Sequence, residues 1–203
     1  MKSIIIIAIL SSTVAYADAY SDMMSDVEFK SHWTETLTTN AGDVEITYNG
    51  MSREYKQNVF FDNAQKASDM IPDFLSAKGI TGLKRCKDKK INAYDVTTEV
   101  LNRQDIYETV NWEDPNRSSL HGGKLLGLYD VGDGRSDPAT IYTDIDLYNP
   151  DRTRIISHEM AHFWYDQYCL DRKKINSEEM AQEFEKFYKE NFNDRKYQRR
   201  GSR

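Results

Sequence analysis

Four histidines occur in this 203-residue chain, and two of them stand four apart in His158-Glu159-Met160-Ala161-His162. On an α-helix, residues i and i+4 project from one face. The two imidazoles can therefore converge on one zinc ion, with Glu159 beside the first, placed to take a proton from metal-bound water. A catalytic zinc takes three protein ligands and keeps a fourth position for water. No histidine follows His162, which excludes the extended three-histidine form of the motif. His32 and His121 lie upstream, in stretches that read as surface loops. The third ligand is then expected to be a carboxylate downstream, where Glu178, Glu179 and Glu183 follow.

Two helices must position these groups. Asn149-Pro150-Asp151 is a start signal, with Asn149 as cap, Pro150 suited to the first helical position and Asp151 complementing the dipole. A helix is predicted from Pro150 to about Leu170, with Ile155, His158, Glu159, His162, Asp166 and Cys169 on one side and Trp164 on another. A second helix begins at Asn176-Ser177, where either residue can cap and Asn176 with Glu179 makes a variant capping box. It continues past Tyr188 on a stripe of Met180, Ala181, Phe184, Phe187 and Tyr188. At about 100° per residue, Glu178 and Glu183 each come to about 110° from the centre of that stripe, and Glu179 to about 150°. Glu178 also sits in the first turn, facing back along the chain, and is the predicted third ligand. Glu179 is the alternative, and the competing reading of all three is a set of dipole charges on a solvated face.

The run Glu178-Glu179-Met180-Ala181-Gln182, coming after His158-Glu159-Met160-Ala161-His162, resembles the gluzincin branch of the zinc metallopeptidases. In that family the third ligand opens a Glu-x-x-(Ala/Ser)-(Asp/Asn) motif. The resemblance implies one zinc ion per chain on His158, His162 and Glu178, with Glu159 as general base in peptide-bond hydrolysis. Gln182 then stands where the family has an acidic or amide residue that supports a ligand histidine. It also implies an α+β, zincin-like fold, in which a small mixed or antiparallel sheet packs on the metal-binding helix and a following C-terminal helix. In such folds an edge strand, here Ala139 to Leu147, binds an extended peptide by β-augmentation. Tyr165, Tyr168, Tyr188 and His121 are all candidates to stabilise the oxyanion. The matching residues run from Ala139 to Tyr188, and Asp18 to Lys90 add nothing to the resemblance. Two other readings compete: a zincin-fold binding module or weakly active homologue, and a helix with two core histidines and no zinc.

Upstream, β-leaning patches at Trp33 to Thr39 and Val44 to Tyr48 flank a hairpin turn at Asn40-Ala41-Gly42-Asp43. Helical spacing follows from Asn58 to Lys78 on Val59, Ala64, Ala67, Met70, Ile71, Phe74 and Leu75, and Gly79 stops it. Strands are predicted at Lys90 to Val96, Leu125 to Val131 and Ala139 to Leu147, with Thr98 to Val110 ambiguous. Asn116-Arg117-Ser118 is a glycosylation sequon in a loop. No repeat or linker divides residues 18–194, which are expected to form one domain.

Charged residues make up 30% of the chain and aromatics 12%, a composition of soluble globular proteins. The net charge of -6 argues against nucleic acid as a partner, despite short basic stretches at Lys84 to Lys90 and in a tail from Arg195 to Arg203 expected to be disordered. Lys2, the apolar run Ile4 to Leu10 and the small-x-small site Ala15-Tyr16-Ala17 read as a signal peptide over residues 1–17, with a second cleavage site after Ala19. An uncleaved anchor is the alternative. No other stretch approaches a membrane span, so a secreted or periplasmic protein with a peptide or protein substrate is expected. In an oxidising compartment, Cys86 and Cys169 read most simply as a disulfide, against free thiols or Cys169 as a ligand.

Overall fold

The computed structural model describes residues 24, 26–52, 55–86, 90–103, 125–131, 138–171 and 175–193. The predicted leader at 1–17, its second site at 19, the sequon at 116–118, His121 and the tail at 195–203 lie outside the described residues. Strands β1 (Ser31–Leu37) and β2 (Val44–Gly50) pair antiparallel with Trp33 opposite Tyr48 and Leu37 opposite Val44. The turn between them closes where predicted: Thr39 Oγ1 donates to the Gly42 carbonyl at 2.7 Å, and Gly42 takes φ +107°. That backbone conformation favours glycine because it has no Cβ.

Helix α1 (Tyr55–Ala77) carries the chain from β2 to β3 (Lys90–Val96), which pairs parallel with β2. A parallel pair needs such a crossover. Beyond a short helix α2 (Thr98–Leu101) come β4 (Gly127–Asp130) and β5 (Ala139–Asp144), antiparallel to each other. Strand β5 also pairs parallel with β3, so the five-stranded mixed sheet has the order β1-β2-β3-β5-β4. Helices α3 (Asn149–Gln167) and α4 (Ser177–Asn191) complete an α+β fold.

One core lies between the sheet and three helices. Alternate residues of the strands (Val44, Ile46 and Tyr48; Ile91 and Ala93; Ala139 and Ile141) meet the buried stripes of α1, α3 and α4. A smaller cluster of Met24, Val96, Leu101, Leu125 and Tyr142 covers the opposite face of the sheet. Helix α3 is buried on nearly every side, and two polar contacts and a disulfide hold its place. Trp164 Nε1 donates to Ser68 Oγ on α1 at 2.9 Å. Arg152, in its first turn, donates through Nη2 to Asp95 Oδ2 of β3. Asp95 accepts in addition from Tyr48 Oη at 2.6 Å and Thr143 Oγ1 at 3.0 Å, and the disulfide Cys86–Cys169 closes the far end of the helix. A buried carboxylate met by a guanidinium and two hydroxyls satisfies the demand that burial places on charge.

Four expectations are corrected. The strand at Ala139–Asp144 is not an edge: it lies between β3 and β4, and all six of its residues are buried. Among the described strands, the outermost on that side is β4. The strand also stops before Leu147, because the Asp146 N–H turns back to Asp144 Oδ1 at 2.8 Å. The cap of α3 differs as well. Tyr148, extended at ψ 144°, precedes the helix without a side-chain cap, and Asn149 already lies inside it. At the other end Cys169 takes φ 46°, which ends α3 ahead of the predicted Leu170.

Candidate metal centre

Successive turns of α3 carry His158, Glu159 and His162, all buried, at 4, 4 and 7% exposure. Polar groups at that depth need partners. Each imidazole turns Nε2 inward and gives Nδ1 a neighbour on α4. His162 Nδ1 is hydrogen-bonded to Ser177 Oγ at 2.7 Å, and His158 Nδ1 lies 3.5 Å from Glu185 Oε2. The two Nε2 atoms stand 3.3 Å apart. Glu178 Oε2 completes a triangle, 3.3 Å from His162 Nε2 and 3.6 Å from His158 Nε2.

Glu178 arrives there through its helix start. The Asn176 side chain accepts from the Glu178 and Glu179 N–H groups at 2.8 and 3.3 Å, which sets the first turn of α4 against α3. Gln182 lies one turn on and donates through Nε2 to Glu178 Oε1 at 2.9 Å, leaving Oε2 to the imidazoles. His158, His162 and Glu178 together can hold a metal ion. The three donor atoms stand 3.3 to 3.6 Å apart, close enough to meet on one ion. Three lone-pair donors converging at such distances repel one another unless a cation or a proton stands among them.

The electrostatics agree. Burial alone would lower the His158 imidazole, but hydrogen bonding to Glu178 and Glu185 and the charges of Glu159 and Glu178 outweigh it and push His158 up to about 10. Burial would raise Glu178, yet its contacts with His158, His162 and Gln182 hold it well below the usual carboxylate range. Glu185 is likewise held low, by His158 and Arg154 against the effect of burial. The pocket of carboxylates is built to stabilise positive charge.

Strand β4 runs beside this cluster. A methyl group on Gly127 would lie 2.6 Å from Glu159 Oε1 and 2.5 Å from Ile155 Cγ2, so only glycine allows the strand this close to the helix. Two residues on, the Tyr129 ring stacks on His162, with centroids 6.0 Å apart and planes 9° from parallel.

Other residues singled out in the sequence stand elsewhere. Glu179 is exposed, and Glu183 pairs with Lys78 at 2.8 Å. His32 lies on β1, with Nδ1 2.7 Å from Asn49 Oδ1. Tyr165 donates to the Ile175 carbonyl at 3.0 Å, Tyr168 to the Ala41 carbonyl at 3.4 Å and Tyr188 to Asn63 Oδ1 at 2.8 Å, so each hydroxyl serves packing. Gln182 was expected to support a histidine and instead supports Glu178, because a side chain four residues along the same helix is within its reach. Ser177, Glu185, Gly127 and Tyr129 were not anticipated. Only Glu185 had a legible signal, lying two helical turns beyond Glu178 on the same face. Protein-family models, curated proteins and solved structures return no match to this chain.

Proposed function

We propose that the chain is an exported zinc-dependent metallopeptidase. The observation that carries this reading is the convergence of His158 Nε2, His162 Nε2 and Glu178 Oε2 at 3.3 to 3.6 Å, with Glu159 on the same buried helix. His158, His162 and Glu178 would hold the zinc, which would supply the Lewis acidity that activates water near neutral pH. Glu159 takes the proton of the attacking water on its carboxylate and returns it to the leaving amine. Gly127 keeps that carboxylate against β4. The apolar run Ile4 to Leu10 and the Cys86–Cys169 disulfide support export to an oxidising compartment. Among the described residues no helix is long and apolar enough to cross a membrane.

Metal analysis of the purified protein is expected to find about one zinc per chain, lost in His158→Ala. Glu159→Gln is expected to keep the zinc and lower peptide cleavage at least about 100-fold. Cleavage at the wild-type rate in Glu159→Gln would refute the mechanism. Zinc without any cleavage would favour a binding module, and a chain that takes up no zinc would sink both readings.

A further inference from the structure

His158 turns its outer nitrogen toward a residue that belongs to neither motif. Glu185 Oε2 lies 3.5 Å from His158 Nδ1, near enough for a small tilt of the ring to make a hydrogen bond. Arg154 Nη1 stands 3.3 and 3.4 Å from the two oxygens of the same carboxylate. Arg154 is one turn before His158 on α3, and Glu185 is two turns beyond Glu178 on α4. The three side chains therefore form a short relay across the seam between the helices.

A histidine that binds metal through Nε2 carries its proton on Nδ1, and an acceptor there fixes both the tautomer and the ring plane. His162 has the neutral Ser177 hydroxyl in that place, at 2.7 Å. His158 has a carboxylate, itself clamped. Resting on the zinc reading above, we propose that Glu185 is a positioning residue for the metal centre. Held by Arg154, it accepts the Nδ1 proton of His158 and keeps Nε2 aimed at the ion. The guanidinium offsets the charge of Glu185, so an acceptor is added beside Glu159 and Glu178 without adding net charge. Helix α4 then contributes three groups to the centre: Ser177 behind one histidine, Glu185 behind the other, and Glu178 as the ligand between them.

Zinc affinity of the full chain, measured by chelator competition, tests this. Glu185→Gln is expected to bind zinc about 10- to 100-fold more weakly. Its zinc-free form should keep the wild-type circular dichroism spectrum, and its cobalt(II) absorption bands should shift as the ring tilts. Glu183→Gln, on the same helix but paired with Lys78, should keep wild-type affinity. Arg154→Gln leaves Glu185 in place without its clamp and should weaken zinc by a smaller factor. That variant decides the matter if Glu185→Gln does not fold. Wild-type affinity in the folded Glu185 variant, or an equal loss in Glu183→Gln, overturns the proposal. Failure of the underlying reading looks different, since the wild-type chain itself would then take up no zinc. If it takes up zinc but cleaves nothing, the affinity comparison still decides the role of Glu185.

Discussion

At the scale of single residues, the metal-free centre behaves as a proton trap. His158 is raised from its ordinary 6.5 to about 10 by the carboxylates around it. A group whose folded value lies above its unfolded value contributes stability that is complete below the unfolded value and is lost as pH rises through the folded one. The metal-free protein is therefore expected to lose melting temperature between pH 6.5 and about 10. Glu178, held low, acts in the opposite direction, and its contribution disappears as pH falls through 4.5 and below. Thermal melts in chelator across this range check both limbs, and a flat alkaline limb would contradict the assignment to His158. Gly127 gives a second test. In Gly127→Ala the new methyl displaces the Glu159 carboxylate, so on the proposed metallopeptidase reading cleavage should fall by about 100-fold while zinc stays bound. Steady-state rates alongside metal stoichiometry separate the two effects. Glu178 could be singled out in the sequence because helical angle is local information. Gly127 and Tyr129 could not, because a strand more than 25 residues upstream carries no periodicity that says which helix it will touch.

At the scale of elements, the helix that carries His158 and His162 depends on how it is fixed to the sheet. Arg152 and Asp95 are 1% and 0% exposed, and Tyr48 and Thr143 complete the coordination of the carboxylate. Asp95→Ala is expected to destabilise the fold by about 3–5 kcal/mol, because it leaves the guanidinium buried beside an empty place. Tyr48→Phe should cost about 1 kcal/mol, a single hydrogen bond. Urea unfolding of the two variants measures the difference, and equal costs would refute the charge argument. Helix α4 has its own fastening. Asn176→Ala should cost about 1 kcal/mol of stability, since two N–H groups of the first turn lose their acceptor. The elements themselves were largely legible. The hairpin, Lys90–Val96 and both helices of the centre lie where apolar spacing and turn residues put them. The rank of β5 within the sheet was not, because alternation along a strand reports which faces are covered and says nothing about who pairs at either side.

For the whole molecule, the disulfide is the longest-range covalent constraint, joining positions 83 apart in sequence at a Cα–Cα distance of 6.1 Å. Closing a loop of that length removes about 4–5 kcal/mol of chain entropy from the unfolded state. It also holds the end of α3, where Cys86 N–H donates to the Gln167 carbonyl at 2.9 Å. Replacing both cysteines by alanine is expected to lower stability by about 2–5 kcal/mol, with the loss appearing as a lower denaturant midpoint. An unchanged midpoint would show that the bridge adds nothing to the fold.

The chain by itself determined the local chemistry. Residue types at spacings of four on one helix and a capped first turn on the next singled out His158, His162 and Glu178, and the structure brings those three together. Periodicity and capping are properties of neighbours in sequence, so they survive without knowledge of the fold. The tertiary structure alone decided which strand lies against Glu159, that Gln182 serves the carboxylate, and that Glu185 and Ser177 stand behind the histidines. Those contacts depend on how helix packs on helix and strand on strand, and such packing minimises the energy of the whole core rather than of any one segment.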